Sequence, residues 1–250
     1  MITRANEARH RLRFRLWALF LRVQLRRRGA ALVVDAPHGA RMDSFPHLAF
    51  DGAGGSVTIR IGRGVKLGRA THLDVSLGGA NVLEIGDATY FLHGVRLQLR
   101  SGAIRLAAGV NLRDGVVLKS EGELVIGYEV PISYGGAIHC VERIEIEDRA
   151  GLAERVTVVD SDHSHYGDDR YFLAQPLKIA PVRIGANAFV CANAVITRGA
   201  HVGANSVIAS GAVVGAGEHP EGWLVAGAPA RPVRSLSGKS SRPDDAPPVS

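Results

Sequence analysis

The chain has few aromatic residues, few cysteines and no long apolar run. Phe, Trp and Tyr make up 6% of the 250 residues, and the two Cys are Cys140 and Cys191. Two cysteines cannot form the disulfide framework of a small secreted protein, so we expect both to be small buried apolar residues in a reducing compartment. The apolar run at residues 16–21 has six residues, whereas a membrane-spanning helix needs about 20. Disulfide-rich and membrane-spanning classes are therefore excluded.

Glycine is abundant, and the charges are unevenly distributed. The chain contains 30 Gly, with 46% hydrophobic and 22% charged residues, which is typical of a globular protein that turns often and packs small aliphatic side chains. Residues 1–28 hold nine Arg and one Glu (net +8), and the remaining residues hold 21 basic and 23 acidic side chains (net −2). A nearly neutral body gives no electrostatic reason to expect a nucleic-acid partner.

The segment 1–28 has the pattern of a basic amphipathic helix. Its apolar residues at helical spacing are Leu12, Leu16, Leu19, Phe20 and Val23, with Arg on much of the remaining circumference. We expect this helix to pack on its own protein or on a neighbouring subunit. The alternative is peripheral contact with an anionic membrane, which the arginines and Trp17 favour.

Apolar residues recur at every sixth position in the C-terminal half of the chain. The series is Ile184, Val190, Ile196, Val202, Ile208 and Val214. The third residue after each is Asn or Gly: Asn187, Asn193, Gly199, Asn205, Gly211 and Gly217. The fourth is small in five cases, Ala188, Ala194, Ala200, Ser206 and Ala212, and is Glu218 where the pattern ends. Because Asn and Gly tolerate positive φ, the pattern predicts a tight turn at every sixth residue.

A period of six predicts a parallel β-solenoid of triangular section, in which each coil buries its aliphatic residues on the next. With short insertions, the count continues upstream through the triplets Ile61, Leu67, Leu73; Ile85, Phe91, Leu97; Leu106, Leu112, Leu118; Ile126, Ile132, Ile138; and Ile146, Leu152, Val158. We therefore assign residues 55–234 to the solenoid domain and 29–54 to a transition segment. The segment 235–250, rich in Ser, Pro and Asp, is predicted to be disordered.

The register breaks once, at the sequence VVDSDHSHYGDDR of residues 158–170. Val158 ends a triplet, and the next one begins at Ile184, 26 residues further on. Since one step of six is expected, about 20 residues are looped out. The sequence therefore predicts that residues 164–183 protrude from the solenoid, with His163 at their root.

Three features together resemble the hexapeptide-repeat acyltransferases: the strict sixes of 184–217, the DSDH of 160–163 ahead of an insertion, and the WLVAGAPARPVR of 223–234. The resemblance covers residues 55–234. It implies an all-β fold, a left-handed parallel β-helix solenoid that follows the N-terminal α-helix and precedes the disordered tail. It also implies a homotrimer, with active sites between neighbouring subunits, that takes acetyl-CoA as co-substrate. We expect no metal, and we expect a cytoplasmic location, with membrane association through the N-terminal helix left open.

The resemblance assigns the catalytic base to His163. Imidazole suits this role because its unperturbed pKa lies near working pH, so it can take the proton of a hydroxyl that attacks the thioester. An acidic neighbour would hold the imidazole tautomer, with Asp160 as the first candidate and Asp162 as the second. We expect direct transfer in a ternary complex because neither Cys has an evident activating base beyond His139.

The resemblance also places the two substrates. The residues implied to bind the cofactor are Ala192 and Ser210 in successive turns, and Arg231 and Arg234 at the adenosine-phosphate end. A Lys usual in relatives is missing from 213–222, so Arg198 or Arg183 are further candidates for phosphate contacts. Phe189 stands where relatives often carry Trp, against the pantetheine or the acceptor.

The expected acceptor is a hydroxyl of a sugar or cell-surface glycan, contacted by His165 and Tyr166, with Tyr171 nearby in the same loop. Transfer to the amine of an amino sugar is the alternative. Two readings from other classes are a zinc enzyme of the carbonic-anhydrase-like β-helix type and a non-catalytic scaffold. The zinc ligands would come from His139, His163, His165 and His201.

Overall fold

The computed structural model describes residues 4–236, with side chains from residue 9 onward. In this part of the chain one α-helix, α1 (Arg4–Arg27), precedes 29 short β-strands. Of the segment 235–250 predicted to be disordered, Ser235 ends the last strand and the N–H of Leu236 donates to the carbonyl of Gly222, whereas 237–250 lie outside the described residues.

The strands follow one another in a regular order. The first fifteen are β1 (Ala31–Asp35), β2 (Arg41–Met42), β3 (His47–Asp51), β4 (Ser56–Ile61), β5 (Lys66–Leu67), β6 (His72–Ser76), β7 (Ala80–Ile85), β8 (Tyr90–Phe91), β9 (Arg96–Arg100), β10 (Ala103–Leu106), β11 (Asn111–Leu112), β12 (Val117–Ser120), β13 (Glu123–Ile126), β14 (Pro131–Ile132) and β15 (Ala137–Cys140). The others are β16 (Arg143–Ile146), β17 (Gly151–Leu152), β18 (Thr157–Val159), β19 (Ser161–His163), β20 (Leu177–Ile179), β21 (Val182–Ile184), β22 (Phe189–Val190), β23 (Val195–Ile196), β24 (Ala200–Val202), β25 (Val207–Ile208), β26 (Val213–Val214), β27 (Gly217–His219), β28 (Trp223–Gly227) and β29 (Ala230–Ser235).

Apart from β19 and β20, the strands form three parallel sheets that run the length of the molecule, and each complete coil contributes one strand to each sheet. Sheet A contains β1, β4, β7, β10, β13, β16, β21, β24 and β27; sheet B contains β2, β5, β8, β11, β14, β17, β22, β25, β28 and β29; sheet C contains β3, β6, β9, β12, β15, β18, β23 and β26. Within these three sheets only β29 departs from the parallel order, because it turns back along β28 as an antiparallel hairpin; β19 and β20 form a separate antiparallel pair. The fold class predicted from the sequence, an all-β parallel solenoid after an N-terminal helix, is confirmed.

The sixfold register is confirmed at its core and at its turns. All residues of the aliphatic series from Ile61 to Val214 are buried, with relative exposures of at most 4%. The six Asn and Gly residues of the turn column, from Asn187 to Gly217, all have positive φ, between 55° and 119°. The small residues that follow are buried at the corners, whereas Glu218 is exposed where the pattern ends. Each turn thus places the next aliphatic side chain inside the triangular section.

The solenoid begins one coil earlier than the sequence pattern indicates. Residues 29–54, interpreted above as a transition, contain β1, β2 and β3, which pair in parallel with β4, β5 and β6. Their core positions differ from the later coils: Met42 is fully buried, but Leu32, Val34 and Leu48 are only partly buried. This first coil therefore lacks the uniform apolar column that revealed the others.

Helix α1 covers the N-terminal end of the solenoid. Phe14, Trp17, Leu21 and Leu25 are buried in the same core as the inward aliphatic residues, and Trp17 lines a small void together with inward residues of all three sheets. The side chains of Arg13 and His10 form hydrogen bonds with the backbone carbonyl of Met42 on β2. The expectation that the helix packs on its own protein is confirmed, and it covers an end that an uncapped solenoid would expose.

The buried face of α1 is not the one that the sequence pattern singled out. The residues predicted as its apolar face, Leu12, Leu16, Leu19, Phe20 and Val23, are between 40% and 58% exposed. The helix carries two apolar faces, and the one that includes Trp17 packs on the solenoid because its larger rings fill the open end. In the described part of the chain, no helix combines the length and the hydrophobicity that crossing a bilayer requires.

Candidate functional site

The break in the register is a two-stranded insertion on one corner of the solenoid. We call the turn from a strand of sheet C to the next strand of sheet A the C–A corner, and the turn from sheet B to sheet C the B–C corner. The insertion leaves the C–A corner after β18 and returns at β21. Its stem is the antiparallel pair β19 and β20, in which His163 lies opposite Leu177. The protruding segment therefore starts and ends slightly before the predicted bounds of 164 and 183, since β21 already belongs to sheet A.

Asp160 anchors the root of this insertion. Its side chain is fully buried, and its two carboxylate oxygens accept hydrogen bonds from the backbone N–H groups of Val141, Glu142 and Arg143 at 2.7, 2.8 and 2.9 Å. These donors form the C–A corner of the coil below. The carboxylate is thus occupied by the backbone, and the expected pairing of Asp160 with His163 is not observed in this chain.

The second carboxylate candidate is occupied too. Asp162 forms an ion pair with Arg198, a residue of the C–A corner of the next coil. Arg183, the other alternative for phosphate contacts, pairs with Glu147. Both carboxylates near His163 therefore fasten the stem to the solenoid, from below and from above.

His163 lies at the end of β19 with an exposed side chain. Its imidazole packs against the ring of Phe172 in an edge-on arrangement, with 5.7 Å between the ring centroids and an interplanar angle of 88°. Phe172 lies in a single 3-10 turn, Phe172–Ala174, across the insertion. Within residues 9–236 the imidazole makes no hydrogen bond or ion pair, so both ring nitrogens are available to a substrate or to a second copy of the chain.

The other predicted acceptor contacts lie further out on the insertion. His165 is exposed, and its Nδ1 accepts a hydrogen bond from the N–H of Gly167 at 3.1 Å. Tyr166 is 56% exposed, and its ring lies under Arg170 at 4.8 Å and near Lys178 at 6.0 Å. The insertion thus presents an imidazole and a phenol ring beside two cations.

The predicted cofactor residues lie on a different part of the solenoid. Ala192 and Ser210 occupy the B–C corners of two successive coils, and the N–H of Gly211 donates to the carbonyl of Ala192 at 3.0 Å. Phe189 is 47% exposed on β22 of sheet B. Arg231 and Arg234 are exposed on β29, which extends sheet B. Ala192 and Ser210 therefore share the B–C corner and the other cofactor candidates lie on the adjoining sheet B, whereas His163 rises from the C–A corner.

The two thiols are poorly suited to nucleophilic chemistry. Burial, with a further contribution from the charge of Asp160, raises the pKa of Cys140 to about 12. Burial also raises the pKa of Cys191, although a hydrogen bond with Ser210 opposes this shift. Since the thiolate is the reactive form, both are expected to be weak nucleophiles at neutral pH.

The histidines considered as zinc ligands are dispersed in this chain. His139 lies on β15 of sheet C beside Glu121, and His201 lies on β24 of sheet A beside Glu218. Among the described side chains, the one group of three with metal-ligating atoms within 4.8 Å of one another is His47, His72 and Asp74, on the first two coils. This group was not predicted. Its carboxylate already accepts a hydrogen bond from Gln98 at 3.2 Å.

Phe172 contacts the candidate base but was not predicted from the sequence. The signal was present as a short apolar run, Tyr171-Phe172-Leu173, in an otherwise polar loop. The ion pair between Arg198 and Asp162 of the stem was not predicted either. Ion pairs between coils join residues that are far apart in sequence, so spacing alone does not reveal them.

Comparison with known proteins supports the repeat. The model of the bacterial transferase hexapeptide family (six repeats) matches residues 181–216, so the resemblance is confirmed for these coils. No curated protein matches the chain. Among solved structures it is similar to a mutant of AntD, an N-acyltransferase from Bacillus cereus in complex with dTDP and coenzyme A, with 17% identity over 54% of this chain and 73% of that chain and a TM-score of 0.46.

Two further solved structures are also similar. One is a maltose O-acetyltransferase from Clostridium difficile 630, with 27% identity over 46% of this chain and 60% of that chain and a TM-score of 0.42. The other is the polySia specific acetyltransferase NeuO, with 18% identity over 87% of this chain and 91% of that chain and a TM-score of 0.41.

Proposed function

We propose that this chain, whose coils carry bacterial transferase hexapeptide repeats, is an acetyl-CoA-dependent acetyltransferase that acts on a hydroxyl of a sugar or cell-surface glycan. The observation that carries this proposal is the placement of His163. A two-stranded stem presents its imidazole next to the hexapeptide coils, Phe172 packs against the ring, and no group of the described chain competes for its nitrogens.

The reaction needs one base and direct attack. The neutral imidazole of His163 takes the proton of the acceptor hydroxyl while the oxygen attacks the thioester carbonyl, which gives a tetrahedral intermediate. When the intermediate collapses, the C–S bond breaks and the proton passes from the imidazolium to the departing coenzyme A sulfur. The products are the acetyl ester and free coenzyme A.

A covalent acyl-enzyme is disfavoured by the state of the thiols. Burial raises the pKa of both Cys140 and Cys191, so little thiolate exists at neutral pH to accept the acetyl group. Direct transfer within a ternary complex is therefore the better description.

The cofactor is proposed to lie along the B–C corners of the C-terminal coils. There Ala192 and Ser210 offer turn backbone, and Arg231 and Arg234 offer charge to the phosphates. Because His163 rises from the C–A corner, one copy of the chain does not bring base and cofactor groove together. A homotrimer, in which one copy's insertion faces the neighbour's groove, would complete the site.

The acceptor is proposed to contact the insertion. Tyr166 and Tyr171 present exposed rings on which a sugar can stack, and His165 offers a hydrogen-bonding nitrogen. An amino sugar is the alternative acceptor, since the same base would serve an amine. Dependence on acetyl-CoA together with free thiols favours a cytoplasmic location.

The test is release of free thiol from acetyl-CoA against a panel of sugar, glycan and amino-sugar acceptors. His163→Ala should lower the rate about 100-fold or more with unchanged mass and melting. His165→Ala, the matched control on the same insertion, should change KM more than kcat. Equal rates for His163→Ala and the wild type would overturn the assignment of the base, and inactivity of the wild type with every acceptor would favour a scaffold.

A further inference from the structure

Helix α1 uses only one of its two apolar faces to cover the solenoid. Phe14, Trp17, Leu21 and Leu25 are buried against the core. We call the opposite face the outer stripe; it consists of Leu12, Leu16, Leu19, Phe20 and Val23, which are 58%, 48%, 58%, 53% and 40% exposed. Five large apolar side chains in one continuous exposed row mark an interaction surface.

The arginines around the outer stripe lack the acidic partners that many arginines of the solenoid have. On the solenoid, several exposed Arg side chains form ion pairs with acidic residues of adjacent coils, as in Arg63 with Asp87 and Arg149 with Glu129. On α1, six exposed arginines have no hydrogen bond or ion pair to any of the side chains described from residue 9 onward: Arg9, Arg11, Arg15, Arg22, Arg26 and Arg27. These cations are available to an anionic partner outside the chain.

The charge and the apolar surface are arranged together. Arg15, Arg22 and Arg26 follow one edge of the outer stripe at positions i, i+7 and i+11, which a helix of 3.6 residues per turn places in one row. An apolar row beside a row of flexible guanidinium groups matches the boundary between acyl chains and phosphate headgroups.

We propose that the outer stripe docks this chain on the surface of an anionic membrane, with Leu16 and Phe20 among the acyl chains and the arginines at the phosphates. A second copy of the helix is a poorer occupant, because residues 1–28 carry a net charge of +8 and would repel their equivalent. The described solenoid is a poor occupant as well, since the chain outside residues 1–28 has a net charge of only −2. This inference does not depend on the proposed reaction.

The test is co-sedimentation of the full chain with vesicles of phosphatidylcholine in which about a third of the lipid is phosphatidylglycerol. The wild type should bind these vesicles, and binding should weaken at least tenfold with phosphatidylcholine alone or in about 1 M salt. Leu16→Gln/Phe20→Gln should lower the partition coefficient about tenfold or more, since two exposed apolar side chains no longer enter the bilayer. Arg15→Gln/Arg22→Gln should lower it by a similar factor.

Two matched controls separate the outer stripe from general surface effects. Val33→Gln/Phe45→Gln removes two apolar residues that are 55% and 53% exposed on the solenoid, and Arg63→Gln/Arg149→Gln removes the same charge from ion-paired positions. Both should bind vesicles like the wild type. Failure of the wild type to bind anionic vesicles, or equal binding by the stripe variants, would overturn the proposal. So would loss of subunit association in Leu16→Gln/Phe20→Gln, measured by ultracentrifugation without lipid, because the stripe would then be a subunit contact.

Discussion

A buried carboxylate is tolerated where hydrogen bonds replace its hydration, and Asp160 meets this condition through three backbone N–H groups. These bonds fix the corner from which the insertion leaves, so Asp160 acts on His163 through the position of the stem. Phe172 then limits the ring to one side of the insertion. His163 is thus positioned by the packing of its ring against Phe172 and by the strand pairing of its backbone, and both ring nitrogens are available to a substrate.

We expect Asp160→Ala to destabilise the chain by about 3 kcal/mol, because three buried N–H groups lose their acceptor. The midpoint of urea unfolding measures this change. Asp162→Ala removes an exposed ion pair from the same stem and should cost less than about 1 kcal/mol. Equal midpoints for the two variants would show that the buried carboxylate does not anchor the insertion.

The thiols should differ in their reactivity with a disulfide reagent at neutral pH. Burial raises the pKa of Cys140 to about 12. Because the thiolate is the reactive form, its smaller ionised fraction should make Cys140 react about a thousandfold more slowly than an unperturbed thiol. A Cys191→Ser chain should therefore react only as it unfolds, whereas a Cys140→Ser chain retains the slow reaction of the partly exposed Cys191. Rapid labelling of the native Cys191→Ser chain would contradict the buried environment of Cys140.

At the element scale, each tight turn of the sixfold register has a residue in the left-handed backbone region, three positions after an inward-facing residue. Asn and Gly fill this position in the C-terminal coils, but Ala88, Glu129 and Arg149 fill it in three of the upstream turns, with φ of 54°, 54° and 58°. Side chains with a Cβ are strained in this region. The upstream turns thus retain their geometry because the pairing of neighbouring coils imposes it.

This strain predicts that Ala88→Gly raises the stability of the chain by about 1 kcal/mol. Ala88 is exposed, so loss of its methyl group costs little packing. The matched control is Ala108→Gly, an exposed alanine outside the positive-φ set, which should lower stability by up to about 1 kcal/mol. Thermal unfolding of both variants checks the prediction, and a lower melting temperature for Ala88→Gly would refute it.

The regularity of each coil decides how much of the fold could be predicted from the sequence. The C-terminal coils were predictable because aliphatic, turn and small residues all repeat in one register. The first coil was not, because its core includes Met42 in place of the aliphatic or aromatic residues of the later coils and because β1 is only partly buried. The packed face of α1 was predicted wrongly because both of its apolar faces have helical period, and the partners of Asp160 escaped prediction because they lie 17 to 19 residues upstream in another coil.

At the scale of the whole molecule, the candidate functional surfaces are separated: one lies at the N-terminal end and two lie on different corners. The helix covers the N-terminal end, and β28 and β29 extend sheet B at the C-terminal end. The candidate base rises from the C–A corner and the turn residues proposed to bind the cofactor lie on the B–C corner, so the proposed chemistry requires two copies. A threefold assembly would repeat the same contact three times and form three equivalent sites.

Subunit mixing tests this central claim most directly. Two inactive variants are prepared: His163→Ala, which lacks the base, and Ala192→Tyr, in which a large side chain fills the proposed cofactor groove. Each should form trimers of normal mass without releasing thiol from acetyl-CoA. The two are then unfolded, mixed in equal amounts and refolded together, and thiol release is measured in the mixed trimers.

If each site takes its base from one copy and its groove from the next, random assembly gives about one quarter of the sites both intact parts, so about a quarter of the wild-type activity should return. A site contained within one chain would regain none. Mixed trimers without activity, although wild-type chains treated in the same way recover theirs, would contradict the account.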